Sequence, residues 1–186
     1  VNYDGKDMKP LPGNVIDRLP DDPTHVLIQL YGNDSSTTDT GDSLIWRTRR
    51  ISKIGTLDIY TGKISFQTSR RPNVVQWFSD GHGVARLYQF ISNDYRRWYV
   101  RKPIDNKVFW DVLHEVSVNN LTDRFTPAGF AENPDELLYL DLQERRTALF
   151  SMDLAHDRST RLVFAHNRFD VMGVKHIGKY DRVVAA

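Results

Sequence analysis

Short runs of alternating apolar and polar residues cover most of this chain, and Gly, Pro, Asn or Asp residues separate them. A period of two residues bounded by turn residues predicts strands and hairpins. One run, residues 108–119, also carries apolar residues at helical spacing, but its β-branched and aromatic content favours a strand, so helix is a minority alternative there. The predicted strands are residues 25–31, 43–60, 63–68, 73–79, 83–91, 96–102, 107–116, 136–142, 148–154, 161–166 and 171–177.

A repeat underlies this pattern. The segment LDIYTGKISFQT (57–68) has a counterpart in MDLAHDRSTRLVFAH (152–166), and PIDNKVFWDVL (103–113) follows the same plan more weakly. Their aspartates, Asp58, Asp105 and Asp153, lie 47 and 48 residues apart. A second pair of segments, DDPTHVLIQL (21–30) and ENPDELLYLDL (132–142), shares an acidic, proline-containing turn that leads into an apolar strand.

Repeats of about 40 to 50 residues with four strands each are typical of β-propeller blades. We therefore predict an all-β fold: a partial β-propeller of about four blades, each a four-stranded antiparallel sheet, with repeats of ~47 residues. The predicted blades are residues 15–69, 72–116, 125–166 and 169–186. In the segment WFSDGHG, Asp80-Gly81 predicts a tight hairpin turn. The large residues suited to the layers between blades are Trp46, Trp77, Trp98 and Trp110.

Composition excludes several classes of protein. The 25 Lys and Arg residues balance 24 Asp and Glu residues, so no strong field favours nucleic acid or an anionic membrane. Cysteine is absent, which excludes disulfides, thiolate catalysis and cysteine-based metal sites and is compatible with the cytoplasm, the periplasm or secretion. The apolar runs are strand-length, far short of the ~20 residues of a membrane helix. The first residues, VNYDGKDMKP, and the last, DRVVAA, predict that both ends are cuts within a longer protein.

Several stretches together resemble one known family. LPDDPTHVLIQLY, LDIYTGK, VQWFSDGHGVARL, PAGFAENPDELLYL and TALFSMDLAHDRSTRLVFAHNRFDV, in this order, are similar to the N-terminal β-propeller of bacterial prolyl oligopeptidase family serine peptidases, especially the acylaminoacyl-peptidase and dipeptidyl-aminopeptidase-like members. The resemblance extends from about Val15 to Val184. It implies a propeller of seven or eight blades that caps a separate C-terminal α/β-hydrolase domain carrying a Ser-Asp-His triad. This chain would supply about half of such a propeller.

The catalytic residues of that family are not expected in this chain. A hydrolase of this class places its serine in a G-x-S-x-G turn, and no serine here has glycine at both flanking positions. Dipeptidyl peptidase relatives anchor the substrate amine with a pair of glutamates, but Glu132, Glu136 and Glu144 occupy turn-like contexts and do not match such a pair. No catalytic, cofactor-binding or metal-binding residue is therefore assigned.

A different enzyme class offers a remote alternative. The segment GDSL around Ser43 spells the nucleophile block of GDSL esterases, and the chain also contains GND at residues 32–34 and the D-x-x-H pairs Asp111/His114 and Asp153/His156. However, Ser43 follows a polar run and precedes the alternating segment LIWRTRR, which is typical of a strand, and GND comes before the serine, which reverses the order of that family. A nucleophile and its base must also lie within about 3 Å, and the spacing does not predict this.

The remaining polar motifs favour structural roles. The histidines, His25, His82, His114, His156, His166 and His176, lack the spacing of a zinc site. The basic pairs at 49/50, 70/71, 96/97 and 145/146 could form a phosphate patch near Trp98 and Tyr99, but they are typical of solvated strand edges. The polar segment GNDSSTTDTGD (32–42) is predicted to be a long loop, and it is the candidate for a disordered or functional insertion.

Three hypotheses for function follow. The leading one is a non-catalytic propeller of a serine peptidase, inactive alone, that controls peptide access to the hydrolase domain of the same parent protein. The alternatives are a stand-alone propeller that binds a protein partner, and the GDSL esterase that uses Ser43. No cofactor, nucleic-acid partner or membrane span is expected. A half propeller would expose blade faces and an unpaired edge strand near RVVAA, which predicts self-association.

Overall fold

The computed structural model describes residues 12–39, 44–104, 107–180 and 182–185, and within these ranges the protein is all-β with no helix. Its strands form four antiparallel sheets that follow one another along the chain. The prediction of an all-β protein with four-stranded antiparallel sheets is therefore confirmed. The minority helical alternative for residues 108–119 is wrong, because Lys107–Ser117 forms a strand.

The first sheet has the order β1-β2-β3-β4, and β5 also pairs with β3. Its strands are β1 (Gly13–Asp17), β2 (His25–Asp39), β3 (Leu44–Asp58), β4 (Ile64–Phe66) and β5 (Arg71–Pro72). The polar residues 32–39, predicted to be a loop, instead continue β2 and pair with β3 from Ile51 to Leu44. That prediction is wrong because backbone hydrogen bonds across a hairpin need no apolar side chains.

The second and third sheets are four-stranded meanders in which each strand pairs with the next one along the chain. The second sheet consists of β6 (Val74–Ser79), β7 (Ala85–Ile91), β8 (Tyr95–Ile104) and β9 (Lys107–Ser117). The third consists of β10 (Thr126–Phe130), β11 (Glu136–Gln143), β12 (Arg146–Asp153) and β13 (Thr160–Phe164).

The fourth sheet is a hairpin of β14 (Lys175–Ile177) and β15 (Arg182–Ala185). The segment RVVAA was expected to leave an unpaired edge strand, but β15 pairs with β14, and it lies beside β10 of the third sheet. The expectation of an unpaired strand is therefore wrong for the edge of β15 that faces β14. The hairpin forms because the intervening Gly178 takes a φ of +79°, a conformation that glycine adopts without steric cost.

The aspartates of the sequence repeat occupy equivalent places. Asp58 ends β3 and its carboxylate accepts hydrogen bonds from the backbone N–H groups of Tyr60 and Thr61, at 2.9 and 3.0 Å. Asp153 ends β12, the third strand of its own sheet, and accepts from the N–H groups two and three residues later, at 2.8 and 3.2 Å. Each carboxylate thus holds the turn into the fourth strand. Asp105 falls between β8 and β9 and lies outside the described residues.

The core lies between consecutive sheets. Leu27 and Ile54 of the first sheet pack against Trp77 and Tyr88 of the second. On the opposite face of the second sheet, Leu87 joins a cluster with Trp98, Val100, Phe130, Leu137 and Tyr139, the last three from the third sheet. Neighbouring residues of a strand point to opposite faces, so the second sheet is buried on both. Trp77, Trp98 and Trp110 all lie in these layers; the side chain of Trp46 lies outside the described part.

Candidate functional site

The first strands of the sheets surround one cavity of about 550 Å³. Its walls come from β1, β6, β10 and the β14–β15 hairpin, so all four sheets contribute to it. Both β1 and β10 carry bulges, between Val15 and Asp17 and between Pro127 and Gly129, which interrupt the alternation of side chains along the wall. The cavity is thus the place where the separate sheets meet.

Asp17 anchors β1 to the second sheet at this cavity. The carboxylate is buried and accepts hydrogen bonds from the backbone N–H groups of Leu19 and Gly83, at 2.9 and 2.8 Å, and from the hydroxyl of Ser79, at 2.5 Å. The Ser79 oxygen in turn accepts a hydrogen bond from the N–H of Gly81 at 3.1 Å. Since both side chains are engaged with fixed backbone donors, their role is to hold the wall in place.

The β14–β15 turn, which lines the cavity, is fastened to the loop between β1 and β2. Tyr180 donates a hydrogen bond from its hydroxyl to the Asp21 carboxylate at 3.0 Å, and Lys179 forms an ion pair with the same carboxylate. These hydrogen bonds lower the pKa of Asp21, and the bond to Asp21 raises the pKa of Lys179. The Tyr180 ring also lies against the His82 ring, with centroids 4.4 Å apart. The fourth sheet therefore contacts the β1–β2 and β6–β7 loops.

The wall of the cavity also carries side chains that could contact a ligand. Arg18 and Gln76 line it and are exposed, and Val15 has 56% of its surface exposed. Within the described residues Arg18 forms no ion pair. A cationic side chain, an amide and an apolar surface beside strand backbones suit the binding of an extended polar chain.

The described part of the structure does not bring together the serine, aspartate and histidine residues that the esterase alternative requires. Ser43 lies outside the described residues. His114 binds Asp123 through Nε2 at 2.8 Å, whereas Asp111 pairs with Lys102 and Arg158, so this D-x-x-H pair is not in contact through its charged groups. Asp153 and His156 do form a pair, at 2.8 Å, in a turn where the His156 side chain is 78% exposed.

The other candidate residues occupy separate surface positions. Glu132 pairs with Arg182 at 2.8 Å, Glu136 pairs with Arg161 at 3.1 Å, and Glu144 lies in the exposed β11–β12 turn at a φ of +58°. Among the basic pairs, Arg96 and Arg97 face Asp123 and Glu115, while Arg145 and Arg146 are exposed. The side chains of Arg49 and Arg50 lie outside the described part. No group of three potential metal-ligating side chains occurs within the described ranges.

Sequence reasoning missed two features of this region. It predicted neither β1 nor β10, the strands whose bulges face the cavity, and it gave no role to Asp17. Val15 and Ile16 stand side by side in GNVID, and TPAGF combines proline with glycine, so neither segment has the alternation that predicts a strand.

No family model, curated protein or solved structure matches this chain. Over the residues that the structure describes, no helix is long and apolar enough to cross a membrane.

Proposed function

We propose that the four sheets are blades of a β-propeller and that the chain is the non-catalytic propeller part of a prolyl oligopeptidase family serine peptidase. The observation that carries the proposal is the cavity of about 550 Å³ to which each of the four consecutive sheets contributes its first strand or hairpin. Blades of a propeller are arranged in this way around a central channel. The order of the sheets along the chain, and their face-to-face packing through large apolar residues, support the same arrangement.

In this proposal the propeller restricts which peptides reach a separate α/β-hydrolase domain. The cavity would be the path or the docking place of an extended peptide, which Arg18, Gln76 and the exposed strand backbones would contact. The chain would not hydrolyse peptides itself. The family assignment rests on the resemblance of the sequence segments, and the gating role follows from that assignment together with the cavity.

Peptide binding tests the proposal directly. We expect a fluorescein-labelled, unstructured oligopeptide to bind the chain, with a rise in fluorescence anisotropy. Val15→Trp, which adds bulk at the cavity wall, should weaken binding, whereas Val163→Trp, at a comparably exposed position on β13, should not. The absence of binding, or equal weakening by both variants, would contradict a peptide role for this cavity.

Hydrolysis assays separate the alternatives. We expect no turnover of aminoacyl anilides or short acyl esters by this chain, and turnover abolished by Ser43→Ala would instead favour the esterase. In a full-length enzyme that contains both domains, removal of the propeller should abolish the selection of peptides by size. Unchanged selection would leave the stand-alone interaction propeller as the better explanation of the fold.

A further inference from the structure

A second cavity, of about 600 Å³, opens between the first and second sheets, away from the strands that surround the first one. One wall consists of Thr68 and Ser69, in the segment that joins β4 to β5, and of Arg71, the first residue of β5. The opposite wall belongs to β8 and β9 and includes Arg101 and Trp110. The side chains that line it within the described residues include two arginines and no carboxylate.

Arg71 is held in this cleft by aromatic rings. Its guanidinium carbon lies 5.3 Å from the centre of the Tyr88 ring and 5.6 Å from that of Trp110, distances at which a cation interacts with a ring face. Its Nη1 donates to the Tyr88 hydroxyl over 3.4 Å, which is long for a hydrogen bond. The Nε atom is buried and has no hydrogen-bond partner. A buried N–H without an acceptor is costly and requires an explanation.

Protein groups around Arg71 do not neutralise its charge. Burial raises the pKa of Tyr88, so this phenol remains neutral at physiological pH. Within the described residues Arg71 forms no ion pair with a carboxylate. The guanidinium is therefore a cation without a carboxylate partner at the wall of the cleft.

Arg101, on the opposite wall, brings a second positive charge to the cleft. It is directly opposite Trp110 in the antiparallel pair of β8 and β9, and residues paired in this way project from the same side of a sheet. Asp111, the next residue of β9, projects from the other side, where Lys102 and Arg158 bind it. Arg101 has no ion pair in the described part of the chain, so the two arginines face the cleft without a counter-charge.

We propose that this cleft is a binding site for a phosphate dianion, such as the phosphate group of a small phosphomonoester, held between Arg71 and Arg101. Two guanidinium groups without carboxylates match a doubly charged oxyanion better than a single carboxylate. The Thr68 oxygen accepts a hydrogen bond from the N–H of Ile54 at 3.1 Å, which leaves its hydroxyl proton to donate to the ligand. Trp110 offers an apolar surface beside the anion. The proposal is independent of the peptidase assignment and involves a different cavity.

Titration with inorganic phosphate tests this site. We expect saturable binding by calorimetry at low ionic strength, at a pH where phosphate is the dianion, and distinctly weaker binding of acetate. Arg101→Gln should weaken phosphate binding about tenfold or more, the usual effect of one lost charge-assisted hydrogen bond. Arg70→Gln is the matched control, because Arg70 is an exposed neighbour of Arg71 that does not line the cleft. It should leave the affinity nearly unchanged.

A second variant distinguishes a loss of phosphate binding from a loss of folding. Arg71→Lys preserves the positive charge over the aromatic rings but removes the planar fork of Nη donors, so it should also weaken phosphate binding. Chemical denaturation of each variant would show that the fold is retained. No binding by the native protein, equal affinity for acetate, or equal losses in Arg70→Gln and Arg101→Gln would overturn the proposal, the last because it would indicate diffuse attraction.

Discussion

Trp77 donates a hydrogen bond from its indole Nε1 to the hydroxyl oxygen of Ser52 over 2.8 Å, and both residues are buried between the first and second sheets. Gln29 completes the network. Its side-chain amide donates to the same Ser52 oxygen at 3.1 Å, and its carbonyl accepts from the Trp77 backbone N–H at 3.3 Å. A polar network in an apolar layer fixes the position of one sheet against the next, because both hydrogen bonds of Trp77 to the first sheet are lost if the sheets slide.

Removal of the Ser52 hydroxyl should destabilise the protein. Ser52→Ala deprives the Trp77 indole of its acceptor, and burial of an unpaired donor costs about 1 to 3 kcal/mol. Chemical denaturation should show a lower free energy of unfolding by this amount. Ser65→Ala, at an exposed position of β4, is the control and should have little effect. An equal loss in the two variants would show that the network contributes nothing specific.

Two glycines with the same backbone conformation should respond differently to alanine. Gly81 and Gly178 have φ values of +80° and +79°. A Cβ atom at position 81 would lie 2.5 Å from the backbone oxygen of Tyr180, whereas a Cβ at position 178 would meet nothing within 4 Å. Gly178→Ala should therefore cost only the backbone term, about 1 to 2 kcal/mol. Gly81→Ala should cost more, and equal unfolding free energies would contradict the contact between the β6–β7 and β14–β15 turns.

The strands rich in apolar residues could be predicted from the sequence, whereas the strands that lack a regular apolar pattern could not. β7 and β11 are largely buried and have apolar residues on both faces. Short runs of mostly apolar residues, such as these two, predict strands. β1 and β10 are interrupted by bulges, and the sequence of residues 32–39 is polar throughout, so no alternation of apolar and polar residues marks them. The Asp17 anchor and the Arg71–Arg101 cleft depend on contacts between sheets, which spacing along one chain does not reveal.

Two adjacent carboxylates at the start of β11 should differ in their contribution to stability. Asp135 pairs with Arg86 at 2.5 Å, and the Arg86 side chain is only 15% exposed. Glu136 pairs with Arg161, whose side chain is 69% exposed. Asp135→Ala leaves a largely buried charge without a partner, so it should lower the free energy of unfolding by more than about 1 kcal/mol. Glu136→Ala should cost less than that, as is usual for surface pairs. The reverse order in denaturant melts would contradict this assignment.

The Asp153–His156 pair should make stability depend on pH in a defined window. Their hydrogen bond raises the pKa of His156 above its ordinary 6.5 and lowers the pKa of Asp153 below its ordinary 3.8. The contribution of His156 is complete below pH 6.5 and is lost as the pH rises through its folded-state pKa. That of Asp153 is complete above pH 3.8 and is lost as the pH falls through its folded-state pKa.

An NMR titration of the imidazole resonances checks the cause of this shift. In Asp153→Asn the pKa of His156 should fall back towards 6.5, since the main interaction that favours the protonated ring is removed. Glu144→Gln changes a carboxylate in another turn of the same sheet and should leave the titration of His156 unaltered. A pKa that is the same in the native protein and in Asp153→Asn would show that the pair does not form in solution.

The remaining prediction is that the protein self-associates through exposed apolar side chains that follow β13 in the sequence. Phe169 is 66% exposed and Met172 is 91% exposed, and both follow in sequence the exposed Phe164 at the end of β13, the outermost strand of the third sheet. Apolar surface of this kind favours contact between molecules, so the average mass in sedimentation velocity should increase with protein concentration. The double variant Phe169→Ser/Met172→Ser should reduce this increase, while Leu121→Ser, which removes an 81% exposed side chain between the second and third sheets, should not. A monomer at every concentration would refute the prediction, and equal effects of the two variants would show that association is not confined to this surface.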